Sequence, residues 1–137
     1  MRWKHSPEYE LPGNSGDGTG VNKSQKGREG EARAAVFLEA AGMRIIARNV
    51  RSKAGEIDLV ALDGDTIVFI EVKTWSVYPI EELYYGIDEK KQRRIIETAK
   101  HFLFSHRKYN GMVVRFDVVF IGPELITHLV SAFMECG

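Results

Sequence analysis

The chain has 137 residues, 44% hydrophobic and 28% charged, which is enough for one domain with a core and too few for two. Its 19 Lys and Arg balance 19 Asp and Glu, so only the distribution of charge, and not a basic excess, can argue for nucleic-acid binding. The single cysteine, Cys136, excludes a disulfide framework or a cysteine zinc site within one chain, and no apolar run approaches the roughly 20 residues of a membrane span.

The N-terminal region is polar, rich in Gly, Ser, Asn and Pro, and without a helical or strand period. We predict a flexible tail over residues 1–26 and a folded domain over residues 27–137. The stretch from Met1 to Asn22 lacks the apolar core of a signal peptide, which favours a cytoplasmic location.

The first predicted element is a helix from Arg28 to Ala41, ended by Gly42. Its apolar stripe consists of Ala34, Ala35, Leu38 and Ala41. Three positions before Ala34, the same stripe reaches Glu31. This acid is either a helix-start residue favoured by the macrodipole or a group aimed at a site.

The later segments predict a mixed sheet with helices packed against it, because the order of elements is helix, three strands, helix, strand. Asp88 is suited to cap the second helix, which extends to about Phe104, and the segment from 76 to 87 is typical of a loop. The predicted strands are Met43–Val50, Gly55–Leu62, Thr66–Thr74, Val113–Ile121 and a short final one within Glu124–Val130. The inward positions of the second helix are Gln92, Ile95, Ala99, Phe102 and Leu103.

Three charged residues interrupt two strands that are otherwise apolar. Side chains alternate along a strand, so Glu71 and Lys73 share one face, and Asp58 interrupts the neighbouring strand. Burying such charges is costly unless they pair with one another or hold a cation.

Two carboxylates on adjacent strands offer the hard oxygen ligands that Mg²⁺ prefers, with Mn²⁺ as a second possibility. The backbone carbonyl of Val72 is a further potential ligand. Lys73 is placed to orient or deprotonate a water molecule, or to stabilise developing negative charge, so the set suits phosphodiester hydrolysis. The alternative is an ion-pair cluster at the end of a sheet, and spacing alone does not separate the two.

The stretch GEIDLV at residues 55–60, followed by VFIEVK at residues 68–73, resembles the PD-(D/E)XK nuclease signature. More closely, the chain resembles the YraN family, a bacterial family, over about residues 27 to 121. The ordered motifs that carry the resemblance are Gly30-Glu31, Arg48-Asn49, GEIDLV, FIEVK, Lys91-Gln92-Arg93-Arg94 and Arg115-Phe116-Asp117.

This resemblance implies a restriction-endonuclease-like α/β fold with a central mixed sheet, akin to archaeal Holliday-junction resolvases. The implied site comprises Glu31, Asp58, Glu71 and Lys73, with Mg²⁺ held by the three acids. The implied function is a DNA endonuclease, with structured or branched DNA as one substrate class, and a homodimer is implied as well. The alternative is a non-catalytic nucleic-acid-binding or scaffold protein that retains the nuclease fold.

One position departs from the family pattern. Trp75 stands where the family commonly has Arg two residues after the lysine, so this side chain cannot contact phosphate as a cation. It is suited either to stacking on a base or to packing against Tyr78, and packing is favoured. Tyr78, Tyr84 and Tyr85 likewise suit base stacking or packing of their loop.

Basic residues cluster in two places, a loop with Arg48, Arg51 and Lys53, and the start of the second helix with Lys90, Lys91, Arg93 and Arg94. We predict nucleic-acid contacts for Arg48, Arg51, Lys53 and Lys91, with solvated faces as the alternative.

Other polar residues receive secondary interpretations. Glu56 shares the face of Asp58 and is either a further site residue or a partner of Arg51 or Lys53. We predict that Asp117 and Arg115 form a structural ion pair. No ligand spacing links His5, His101, His106 and His128, and they are assigned no role.

Overall fold

The computed structural model describes residues 2–5, 23–74 and 87–134, with side-chain burial described from residue 27 onward within those ranges. The predicted loop over residues 76–87 lies outside the described residues apart from Ile87, as do Trp75, the three loop tyrosines and Cys136. The elements are β1 (Arg2–His5), α1 (Lys23–Ala40), β2 (Arg44–Arg51), β3 (Glu56–Asp63), β4 (Thr66–Thr74), α2 (Glu89–Ser105), a 3₁₀ turn (Arg107–Tyr109), β5 (Val113–Ile121) and β6 (Ile126–Phe133).

The strands form one six-stranded sheet in the order β1-β6-β5-β4-β3-β2. The β4–β5 pair is parallel and every other pair is antiparallel. Only a parallel pair requires a long crossover, and α2 lies within the crossover between β4 and β5. The predicted α/β class with a central mixed sheet is therefore confirmed, and the architecture is consistent with a restriction-endonuclease-like fold.

The helices belong to two separate cores, one on each face of the sheet. Ala34 and Leu38 of α1 lie in one apolar cluster with Val68 and Ile70 of β4. The other cluster gathers Phe69 of β4 with the inward residues of α2, among them Ile95, Ala99 and Phe102. Because odd and even residues of β4 enter different cores, the two faces of this strand are fixed by packing.

The N-terminal end of α2 is set by its cap. The Asp88 carboxylate accepts a hydrogen bond from the Lys91 backbone N–H at 2.8 Å, as predicted for a capping residue. The cap places Lys91 in the first turn of α2. Gln92 is fixed as well, because its Nε2 donates to the Ile87 carbonyl at 2.6 Å.

Some boundaries differ from the sequence-based predictions. Residues 2–5, predicted within the flexible tail, are strand β1 paired with β6, and α1 begins at Lys23 instead of Arg28. A four-residue edge strand carries too little pattern to be recognised from sequence. Ala41, predicted on the inward stripe, is exposed because α1 ends one residue earlier. The division of the chain at residue 27 otherwise stays a prediction.

Neither helix in the described ranges combines the length and apolar character that a membrane crossing needs.

Candidate metal and active site

The site forms where β3 and β4 separate. Their paired register ends at Leu59 opposite Ile70, so the next residues of the two strands are no longer joined by the ladder. There the Asp58 carboxylate accepts a hydrogen bond from the Val72 backbone N–H at 2.7 Å. This bond satisfies a backbone donor that the ladder leaves without a strand partner, and it holds Asp58 beside β4.

The predicted alternation of β4 is confirmed. Glu71 and Lys73 have the same parity as Phe69, which lies in the α2 core, whereas Val72 packs against the α1 core. Glu71 is only 7% exposed and Lys73 is half-buried. Both charged groups therefore lie on the α2 side of the sheet, at the point where Asp58 approaches.

Glu31 arrives from α1, on the other side of the sheet. This helix approaches closely at Gly30, where an added Cβ would collide with the Thr74 hydroxyl oxygen. Glu31 is half-buried, and a carboxylate oxygen from each of Glu31, Glu56 and Asp58 lies within 4.8 Å of the others. The sequence-based alternative of an acid serving only the helix start does not account for this convergence.

Asn49 helps to hold this group of acids. Its backbone is left-handed, with φ of 51°, a conformation that asparagine tolerates better than most residues. With its amide nitrogen turned toward the acids, Asn49 donates to Glu31 Oε2 at 2.9 Å and to Glu56 Oε1 at 3.3 Å. Asn49 stood within a family motif but had no predicted role.

The three central acids hold their protons more tightly than usual. Burial, followed by the Asp58 carboxyl in hydrogen-bonding contact, raises the pKa of Glu71 from 4.5 to about 8. Burial is also the largest cause that raises the pKa of Asp58 and of Glu31. Raised pKa values in a cluster of acids indicate that nearby positive charge does not fully compensate the carboxylates.

Two lysines supply part of that charge. Lys91 Nζ lies 3.0 Å from Glu71 Oε2. Burial is the largest single cause and lowers the pKa of Lys91, but the Glu71 carboxylate, together with Lys73 and Asp58, outweighs it and the pKa is raised. The pKa of Lys73 is lowered, first by burial and then by the adjacent Lys91 ammonium.

The buried oxygen of Glu71 is incompletely satisfied. The Lys91 ammonium is close to Oε2 but not aligned for a hydrogen bond, and Oε2 has no hydrogen-bond donor in the described part of the chain. Buried carboxylate oxygens are normally hydrogen-bonded or bound to a cation. An all-oxygen donor set with an unsatisfied buried member fits a hard divalent cation.

Two clefts meet at the acids, and Glu56 and Asp58 line both of them. The α1 cleft has a volume of about 530 Å³ and is lined by Gly27, Arg28, Glu31, Asn49, Arg51, Glu56 and Asp58. The α2 cleft has a volume of about 250 Å³ and is lined by Gly55, Glu56, Asp58, Glu71, Lys91, Arg94 and Ile95. Each cleft therefore carries both carboxylates and basic side chains.

The predicted basic contacts have different surroundings. Arg51 lines the α1 cleft and lies 3.6 Å from Glu56, the pairing that the sequence offered as one alternative. Arg48 points to the exposed Glu39 at 3.9 Å, and Lys53 is exposed in the loop after β2. Lys91 is in the site itself. Arg28, which had no predicted role, lines the α1 cleft.

A second polar cluster lies away from these clefts, between β5 and β6. Asp117 is fully buried and accepts from Arg115 Nε at 3.0 Å, which confirms the predicted pair. Its Oδ2 also lies 2.7 Å from His128 Nε2, a contact that no sequence pattern predicts. The only available signal was a histidine within an apolar strand. Arg115 further binds Asp63 at 3.0 Å, so the cluster joins three strands.

The fold and site together define a restriction-endonuclease-like α/β protein with a carboxylate and lysine cluster at the divergence of two strands. The model of the uncharacterised protein family UPF0102 matches residues 30–121, most of the chain. The chain belongs to this family, which is the YraN family that its motifs resemble.

Similarity to members of the family over most of the chain supports the assignment. A UPF0102 protein of Treponema denticola is 44% identical over 124 residues, covering 80% of this chain and 95% of that protein. The UPF0102 protein of Treponema pallidum is 46% identical over 116 residues, covering 80% and 92%. One from Persephonella marina is 45% identical over 112 residues, covering 79% and 92%.

Proposed function

We propose that the protein is a Mg²⁺-dependent endonuclease that hydrolyses DNA phosphodiesters, with branched or otherwise structured DNA as the preferred substrate. The observation that carries this proposal is the set of acids where β3 leaves β4. Asp58 converges there with Glu31 and Glu56, and it also contacts the buried Glu71 carboxyl, which shares its face of β4 with Lys73. A structural ion-pair cluster would be expected to neutralise its buried acids. Here Glu71 has Lys91 beside it, yet burial still raises the pKa of Glu71 to about 8, and its buried Oε2 has no hydrogen-bond donor in the described part of the chain.

In this proposal Asp58 and Glu71 hold the cation, and Glu31 completes the ligand set directly or through water. The bound Mg²⁺ would lower the pKa of a water molecule and neutralise charge on the phosphodiester. Lys73, on the Glu71 face of β4, orients or deprotonates that water, or stabilises the negative charge that develops on the phosphate.

The charge distribution supports a polyanionic substrate. Arg28 and Arg51 line the α1 cleft, and Lys91 and Arg94 line the α2 cleft, so cations flank the acids on both sides. A nucleic-acid backbone crossing the acids would meet these cations as phosphate partners. The family resemblance to PD-(D/E)XK nucleases selects DNA among polyanions.

The test is a cleavage assay on matched four-way-junction, duplex and single-stranded DNA with Mg²⁺ or Mn²⁺. We expect metal-dependent cleavage, strongest on the junction, that Glu71→Gln and Lys73→Met each reduce by about 100-fold or more. Glu124→Gln removes an exposed acid outside the site and Lys90→Met an exposed lysine beside it, so both should cleave as the parent does.

Two outcomes would contradict hydrolysis by this site. Cleavage that survives in Glu71→Gln and Lys73→Met would point to a contaminant or to another site. Salt-dependent DNA binding without cleavage under any metal condition would favour the non-catalytic nucleic-acid-binding alternative.

A further inference from the structure

Lys91 enters the site from an element that carries none of the central acids. Its cap-fixed position in the first turn of α2 directs the side chain toward β4, and Nζ lies 3.0 Å from Glu71 Oε2. Lys91 is 39% exposed, whereas Glu71 is 7% exposed. The contact therefore joins a buried carboxylate to an ammonium on a long side chain that is partly open to solvent.

The position of this ammonium conflicts with a divalent cation. The Glu71 oxygen that Lys91 approaches is also the buried oxygen without a hydrogen-bond donor in the described ranges, and so the one best prepared to bind a metal. Two cations close to one carboxylate oxygen repel each other strongly in a partly buried site. Lys91 and a metal bound to Glu71 Oε2 therefore exclude each other from that contact.

We infer that Lys91 is the resident counter-ion of the ionised Glu71 carboxylate, exchanged for the divalent cation when the metal binds and released to contact a phosphate of the substrate. This inference rests on the proposed metal site. Once released, the ammonium remains in the α2 cleft beside Arg94. Glu56, another acid of that cleft, already lies 3.6 Å from Arg51. The freed ammonium is thus available to an anion that enters the cleft.

The first test measures Mg²⁺ binding by isothermal titration calorimetry near pH 8.5, where proton competition at Glu71 is reduced. Lys91→Met removes the competing ammonium, so we expect Mg²⁺ to bind about tenfold more tightly than to the wild type. Lys90→Met is the matched control, since Lys90 is an exposed neighbour of the same charge, and its affinity should stay within about twofold. Lys91→Gln provides a second variant if Lys91→Met folds poorly.

The second test follows Lys91 in the wild-type protein by acetylation and peptide mass spectrometry. Mg²⁺ should increase the acetylation rate of Lys91, because the ion pair with Glu71 is lost, and should leave Lys90 unchanged. Adding junction DNA to the Mg²⁺-loaded protein should protect Lys91 again if its ammonium contacts phosphate.

The outcomes separate this inference from the nuclease proposal. If Mg²⁺ binds but neither the Lys91→Met affinity nor the Lys91 acetylation changes, the exchange is wrong and the metal site stands. If DNA gives no protection, the phosphate contact is wrong. Mg²⁺ binding to none of the proteins would overturn both proposals. Exchange without any DNA cleavage would support the role of Lys91 while contradicting the nuclease activity.

Discussion

Replacing Glu71 with glutamine removes the ionisable group whose pKa burial and the Asp58 carboxyl raise from 4.5 to about 8. Glu71 therefore has two pKa values, 4.5 in the unfolded chain and about 8 in the native protein. Below both values, Glu71 is protonated in the native and in the unfolded state. Between them the native state retains a proton that the unfolded state has released, so the free energy of unfolding falls as the pH rises. Above both values the carboxylate is ionised in both states and the full penalty is present.

The size of this penalty follows from the two pKa values. At about 1.4 kcal/mol for each tenfold change in proton affinity, the interval from 4.5 to about 8 gives an upper limit of about 5 kcal/mol. Glutamine keeps the shape of the protonated acid without its charge. We expect Glu71→Gln to gain about 2–5 kcal/mol relative to the wild type between about pH 5 and about pH 8.5 in metal-free buffer.

Urea denaturation at a series of pH values, with EDTA present, measures this difference directly. Glu124→Gln is the control, since it removes an exposed carboxyl and should track the wild type at every pH. A difference between wild type and Glu71→Gln that stays constant with pH would refute the argument, because a purely steric effect of the substitution has no pH dependence.

Three further predictions concern other parts of the structure. Mg²⁺ at about 100 times its Kd should raise the melting temperature of the wild type by about 10 °C. Asp58→Asn should abolish this increase, and differential scanning fluorimetry of both proteins measures it. Asp117→Ala should lower the free energy of unfolding by about 3–5 kcal/mol in urea denaturation, because Arg115 and His128 lose their shared partner. Gly30→Ala should lower the free energy of unfolding by about 1–3 kcal/mol, because the added Cβ collides with the Thr74 hydroxyl. Adding Thr74→Ala in the same chain should restore most of this free energy, as measured by urea denaturation.

The part of the site that sequence predicts is the part governed by local periodicity. Alternation along β4 is sufficient to place Glu71 and Lys73 on one face, because the apolar neighbours of these residues fill the two cores in turn. Helical phase is sufficient to turn Glu31 toward the sheet. Sequence predicts β2 to β6 and the second helix to within a few residues for the same reason, since apolar periods extend over most of each element.

Contacts that depend on how elements are placed relative to one another were not predictable in this way. The ion pair of Lys91 with Glu71 depends on where the capped end of α2 lies over β4, which no local period specifies. The contact of His128 with Asp117 depends on register across an irregular β5–β6 pair. The position of Asn49 depends on a left-handed backbone conformation that the neighbouring residue types do not predict.

The separation of β3 from β4 connects the architecture to the proposed chemistry. A continued ladder would satisfy the Val72 N–H with backbone and leave no reason for an acid at position 58, whereas separation requires a side-chain acceptor there. That acceptor is the Asp58 carboxylate, which lies against the buried Glu71 carboxyl. The side chain that accepts from the Val72 N–H therefore also concentrates negative charge beside Glu71. Replacing both acids with neutral side chains would be expected to stabilise the metal-free fold. We propose that a divalent cation offsets this cost, with Lys91 beside Glu71 until that cation binds.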